Sequence, residues 1–126
     1  MKHKILVVDD TPICRLGTAS IVQTLGYMTE EAASGGEALD RVGASQYDLI
    51  FMDHDMPDMD GCECTRRIRE LENSTGARIP IIALTASDEI QIREKCLKAG
   101  MDDYLHKRYT LEELRQILSK WVTIAQ

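Results

Sequence analysis

Three continuous apolar runs constrain this chain more than any other feature: Ile5-Leu6-Val7-Val8, Leu49-Ile50-Phe51-Met52 and Pro80-Ile81-Ile82-Ala83-Leu84. None alternates apolar with polar residues. A strand with one wet face alternates, whereas a strand buried on both faces reads as an unbroken hydrophobic run. The runs therefore predict the inner strands of a parallel sheet covered by helices on both sides.

Residues 28–33 and 103–106 are weaker strand candidates, and helical segments fill the spaces between strands. Thr11 and Pro12 supply an N-cap and a proline at the first helical position, with Cys14, Thr18, Ile21 and Leu25 expected on the buried face and Gly26 as the stop. Ser34 and Glu37 have capping-box spacing and open a helix to about Val42. Gly61 precedes a helix with an expected stripe of Cys64, Ile68 and Leu71. The segment from Ser87 through Asp88 starts another, carrying Ile92, Cys96 and Ala99 inward and ending at Gly100. Thr110 and Glu113 form a second capping box, before Leu111, Leu114, Leu118 and Trp121. Strands and helices alternate without a break, repeat or linker, so residues 1–126 are expected to form one α/β domain, a doubly wound five-stranded parallel sheet with five helices.

The bulk numbers exclude several classes. With 126 residues the chain suits a single core. Its net charge of −6 argues against direct nucleic-acid binding or attachment to an anionic membrane, both of which need a basic face. No apolar run approaches the roughly 20 residues that span a bilayer, and Met1–Asp10 resembles neither a signal nor a transit peptide. A cytoplasmic location without membrane insertion is expected. Cys14, Cys62, Cys64 and Cys96 include no CxxC pair. Cys62 and Cys64 should point to different sides of their helix. The cysteines read as reduced, small apolar residues and not as a metal–thiolate site.

Ligands of open α/β sheets bind beyond the carboxyl ends of the strands. There the chain places Asp9 and Asp10 after the first run, Asp53 and Asp55 after the second, Thr85 after the third and Lys107 after the last strand. Asp9, Asp10 and Asp53 would repel one another unless a cation sat among them, and carboxylate oxygens suit Mg²⁺. An aspartate beside a hard dication, a lysine and a hydroxyl is equipped to accept a phosphoryl group in line. Asp60, before Gly61, fits the N-terminus of a helix instead. A calcium loop counted from Asp53 fails: Pro57 falls at position 5, Asp58 at the required glycine and Cys64 at the required glutamate.

The pieces VVDD (7–10), MDHDMPDMDG (52–61), IIALTA (81–86) and GMDDYLHK (100–107) together resemble a response-regulator receiver domain, CheY-like, over the whole length, closest in style to the receivers of hybrid histidine kinases. The resemblance implies a flavodoxin-like sheet of order 2-1-3-4-5 and phosphorylation of Asp53. It implies Mg²⁺ on Asp10, Asp53 and the backbone carbonyl of Asp55, with Asp9 acting through water. Thr85 and Lys107 would contact the phosphoryl group, and Tyr104 would be the switch aromatic that follows Thr85. The phosphodonor would be a histidine kinase or histidine phosphotransfer protein, and the output a contact with a downstream protein or onward transfer. Such a domain catalyses only its own phosphorylation and dephosphorylation.

The chain departs from the family pattern at Lys107, which precedes Arg108 where receivers usually have proline. A cis bond before a non-proline residue costs about 2.5–4 kcal/mol, so a trans bond is expected, with a looser Lys107 and a mobile loop at 106–109. Two other readings stay open at this point. One is a pseudo-receiver that binds partners without taking phosphate. The other is a haloacid-dehalogenase-type phosphatase with Asp53 as nucleophile and Asp55 as acid/base, although Pro57 fits it poorly and the acidic pair behind Lys107, Glu112 and Glu113, falls inside a helix.

Overall fold

A computed structural model describes residues 3–87 and 89–122. The elements alternate as β1 (Lys4–Val8), α1 (Pro12–Thr24), β2 (Met28–Ala32), α2 (Gly35–Ala44), β3 (Leu49–Asp53), α3 (Gly61–Asn73), β4 (Ile81–Thr85), α4 (Ile90–Ala99), β5 (Asp103–His106) and α5 (Leu111–Trp121). The five strands form one sheet, β2-β1-β3-β4-β5, with every pair parallel. This is the expected order.

The sheet separates two apolar layers. On one side Leu6, Val8, Ile50, Met52, Ile81 and Ala83 meet Ala38, Cys62, Cys64, Ile68, Cys96 and Ala99 from α2, α3 and α4. On the other, Ile5, Val7, Leu49, Phe51, Ile82 and Leu84 meet Ala19, Val22, Leu114 and Leu118 from α1 and α5. Successive residues of each inner strand thus enter opposite cores, which is why those segments do not alternate in sequence. The weaker strands, β2 and β5, are the sheet edges, and their polar residues are half-buried.

Several helix faces differ from expectation. Buried positions of α1 are Thr18, Ala19 and Val22, while Cys14 is exposed. The inward stripe is centred one residue later, on the face that packs over β1 and β2. In α3, Leu71 is 47% exposed and Glu72 takes the inner place, because Arg69 and the Ile79 N–H partner its carboxylate. Leu111 is also exposed, lying in the first turn of α5 before that helix meets the sheet. Thr11 makes no side-chain cap; its N–H donates instead to Asp9 Oδ1 at 2.9 Å. Ser34 caps α2, but Glu37 reaches back to the Ala33 N–H and not to Ser34's own. Thr110 and Glu113 form both halves of their box. Gly100 ends α4 at φ 112°, a left-handed turn that glycine adopts without a Cβ penalty. The expected helix start at Asp88 lies outside the described residues.

Candidate phosphoryl-acceptor site

Parallel pairing carries the ends of β1, β3, β4 and β5 to one edge of the sheet. Asp53, the last residue of β3, is fully buried. Its Oδ1 accepts from the Asp55 N–H at 3.1 Å and lies 3.0 Å from Lys107 Nζ. Its Oδ2 is buried with no hydrogen-bond partner among the described residues. Asp9, also buried, stands 3.6 Å from the same ammonium. Carboxylate oxygens of Asp9, Asp10 and Asp53 all lie within 4.8 Å of one another. Crowded carboxylates of this kind, two of them buried and one oxygen without a donor among the described residues, fit a hard dication.

The electrostatics record the crowding. Burial pushes the Asp53 carboxyl up; the Lys107 hydrogen bond opposes this, the Asp9 charge reinforces it, and the result is about 7. Burial disfavours the charge on Lys107, but the hydrogen bond to Asp53 and the charges of Asp53 and Asp9 outweigh it and hold Lys107 above the ordinary lysine range. One lysine serving two buried carboxylates leaves the pocket short of positive charge.

The backbone holds these groups in place. The His54 N–H donates to the Leu84 carbonyl at 2.9 Å, and the Lys107 N–H donates to the Thr85 carbonyl at 2.8 Å. Thr85 is buried, and its Oγ1 accepts from the Ser87 N–H at 3.1 Å. The Tyr104 hydroxyl donates to the Ser87 carbonyl, tying β5 to the segment that follows Thr85. The carboxylate of Asp55, by contrast, accepts from His54 Nδ1 at 3.0 Å, so only its main chain serves Asp53.

No cis peptide bond occurs among the described residues, so Lys107–Arg108 is trans. The expected looseness does not follow. His106 Nδ1 accepts from the Arg108 N–H at 3.0 Å, its Nε2 lies 3.1 Å from the Ala86 carbonyl, and Lys107 is anchored at both its main chain and its ammonium.

Two contributions escaped the sequence reading. Gly61 brings α3 against β3, and a Cβ there would collide with the Asp53 carbonyl oxygen. Glycine after Asp60 is visible in sequence, but the close approach is not. The second is a convergence: Cys62 and Cys96, read as reduced packing thiols, meet His54. Only the adjacency of α3 and α4 brings them together.

A sequence profile of the response regulator receiver domain matches residues 5–119. The chain belongs to the receiver domain family. This receiver is 41% identical over 124 residues to the sensor protein EvgS of Escherichia coli, covering 98% of the chain and 10% of that protein. It spans only 7–12% of the length of the curated relatives it matches first. Among solved structures, the receiver domain of sensor histidine kinase PA1611 from Pseudomonas aeruginosa has a TM-score of 0.87 at 40% identity, covering 97% of this chain and 98% of that one. That structure has magnesium coordinated in its active-site cleft. The receiver domain of Ssk1 from Saccharomyces cerevisiae, crystallised with the histidine phosphotransfer protein Ypd1, has a TM-score of 0.90 at 30% identity, covering 96% of this chain and 89% of that one. Among the described residues, no helix is long and apolar enough to cross a membrane.

Proposed function

We propose that this chain is a single receiver domain in which Asp53 accepts a phosphoryl group from a phosphohistidine, on a histidine kinase or a histidine phosphotransfer protein. The observation that carries the reading is the buried, unpartnered Oδ2 of Asp53, set among two further carboxylates and one lysine. A carboxylate oxygen of Asp53 attacks phosphorus as the bond from phosphorus to the histidine nitrogen breaks, and the imidazole keeps the electron pair. The product is an acyl phosphate on Asp53.

Asp9, Asp10, Asp53 and the Asp55 carbonyl would hold Mg²⁺, whose chemistry is to neutralise charge on the phosphoryl oxygens. Lys107, already beside Asp53 Oδ1, turns its ammonium to a phosphoryl oxygen. Thr85 donates its hydroxyl to another, giving up the Ser87 N–H in the process. Because Tyr104 is bonded to the Ser87 carbonyl, that movement is passed to β5 and the α4 face. The output is then a contact with a downstream protein or transfer of the phosphate onward, in the cytoplasm and without direct binding of nucleic acid. The relative solved with a phosphotransfer protein supports this choice of donor.

The test is incubation with a small acyl phosphate or phosphoramidate and Mg²⁺, followed by intact-mass analysis. One base-labile phosphoryl group is expected on the wild type and none on Asp53→Asn. A wild type that takes no phosphate would be a binding module. Many turnovers of a phosphomonoester per chain would instead mark a phosphatase.

A further inference from the structure

A second cluster lies behind the acceptor. His54 follows Asp53, Cys62 opens α3 and Cys96 lies near the end of α4, and all three are buried. One ligand-capable atom from each lies within 4.8 Å of the others. His54 is only 8% exposed, and its Nε2 has no hydrogen-bond partner among the described residues. Its other nitrogen, Nδ1, is held 3.0 Å from the Asp55 carboxylate.

That arrangement has a specific chemistry. A histidine that ligates a metal commonly gives its second nitrogen to a carboxylate, which fixes the ring and raises its basicity. Two thiols and one imidazole nitrogen are three of the four positions of a tetrahedral zinc site. Zn–S bonds of about 2.3 Å and Zn–N bonds of about 2.0–2.1 Å put ligand atoms roughly 3.5–3.8 Å apart, so the cluster needs only a small contraction. The Cys62 thiol is held down at about 6, chiefly by the hydrogen bond from Cys96, which eases its deprotonation. An open depression lined by His54, Asp55, Met56, Pro57 and Asp60 borders the histidine side of the cluster. Cys64 takes no part, since its thiol faces the Gly35 carbonyl on the α2 side.

We propose that His54, Cys62 and Cys96 bind a zinc ion, tying the loop after the phosphoacceptor to α3 and α4. The soft donors separate this site from the acidic pocket, which is built of oxygen and suits Mg²⁺. The two sites share the junction between Asp53 and His54, so an ion on His54 restrains the main chain that carries the acceptor.

The test uses reduced protein under anaerobic conditions, with saturating Mg²⁺ to fill the acidic pocket, titrated with Co²⁺ and then Zn²⁺. One equivalent of Co²⁺ should produce a thiolate-to-cobalt charge-transfer band, and one equivalent of Zn²⁺ should bleach it. Cys62→Ser and Cys96→Ser should each weaken the band, leaving only one thiolate to give it, and weaken binding at least tenfold, whereas Cys64→Ser keeps both at wild-type levels. Asp55→Ala should weaken binding roughly 10–100-fold by freeing the imidazole. If a cysteine variant fails to unfold cooperatively, His54→Asn replaces it: binding should weaken at least tenfold while the thiolate band persists at saturating Co²⁺. No thiolate band in the wild type, or undiminished affinity in these variants, would overturn the site. So would a Cys62–Cys96 disulfide formed in air by a protein whose reduced form takes up neither metal.

Discussion

Two charged clusters sit at opposite ends of the same sheet. At the carboxyl edge, one lysine serves two of three clustered carboxylates, and among the described residues Asp53 keeps an oxygen with no donor. At the amino edge, Arg69 donates to Glu72 at 2.7 Å, to Asp102 at 2.8 Å and to the carbonyls of Ile79 and Gly100. Asp102 also accepts from the Ile81 N–H at 2.9 Å and from Arg78 at 2.6 Å, and Glu72 accepts from the Ile79 N–H at 2.6 Å. Both clusters are largely withdrawn from water. One has its demand for partners met inside the chain, and the other leaves it to something from outside. A satisfied network fixes structure, whereas an unsatisfied one binds.

The contrast is broken most severely by Arg69→Met. It leaves Glu72 without a cation among the described residues and Asp102 with only the exposed Arg78, and should cost about 3 kcal/mol, read as a drop in unfolding free energy in denaturant. At the other edge the sign reverses. Asp53→Asn removes a buried charge that the chain does not satisfy, so the metal-free protein should gain about 1–3 kcal/mol at pH 8 while losing its Mg²⁺ response in thermal melts. A less stable Asp53→Asn protein in chelator would contradict the frustrated pocket.

The same contrast has a pH signature. Asp53 keeps its proton to about pH 7 when folded but releases it near the ordinary value of 3.8 when unfolded. Between those limits the unfolded state binds fewer protons, so this group makes stability fall as pH rises from about 4 to about 7, with its full penalty present above that range. In chelator the wild type should show the decline, and Asp53→Asn should flatten it. The smallest effect serves as the control. Thr110→Ala opens the capping box of α5 and should cost about 1 kcal/mol, by the same amount at pH 4.5 and pH 8.

The fold was legible where burial dictated sequence. The three inner strands have no polar side to show, and the breakers and caps at Gly26, Ser34, Gly100 and Thr110 punctuate the helices. Helix faces were legible only to within a residue, since α1 could shift its stripe and Glu72 could be buried once Arg69 was there to receive it. The acidic pocket could be read because strand ends converge by topology. The His54–Cys62–Cys96 cluster could not, because it depends on side chains meeting across α3 and α4. The firmness of Lys107 was missed for a similar reason: the stabilising atom belongs to the ring of His106 and not to the residue after the lysine.

The two open strands of the sheet have a consequence for how this domain coexists with neighbours. An unpaired strand is a template on which another chain can add. Here β2 carries Glu30 and Glu31, tied to Lys4 and Arg15, and β5 begins with Asp103, clamped by Trp121 and Lys120. Fixed charge along both borders makes edge-to-edge association between copies unfavourable. Relatives carry this unit within much longer proteins, where tethering keeps local concentrations high. Guarded borders let such a unit be repeated, fused and crowded while its contacts stay confined to helices and loops.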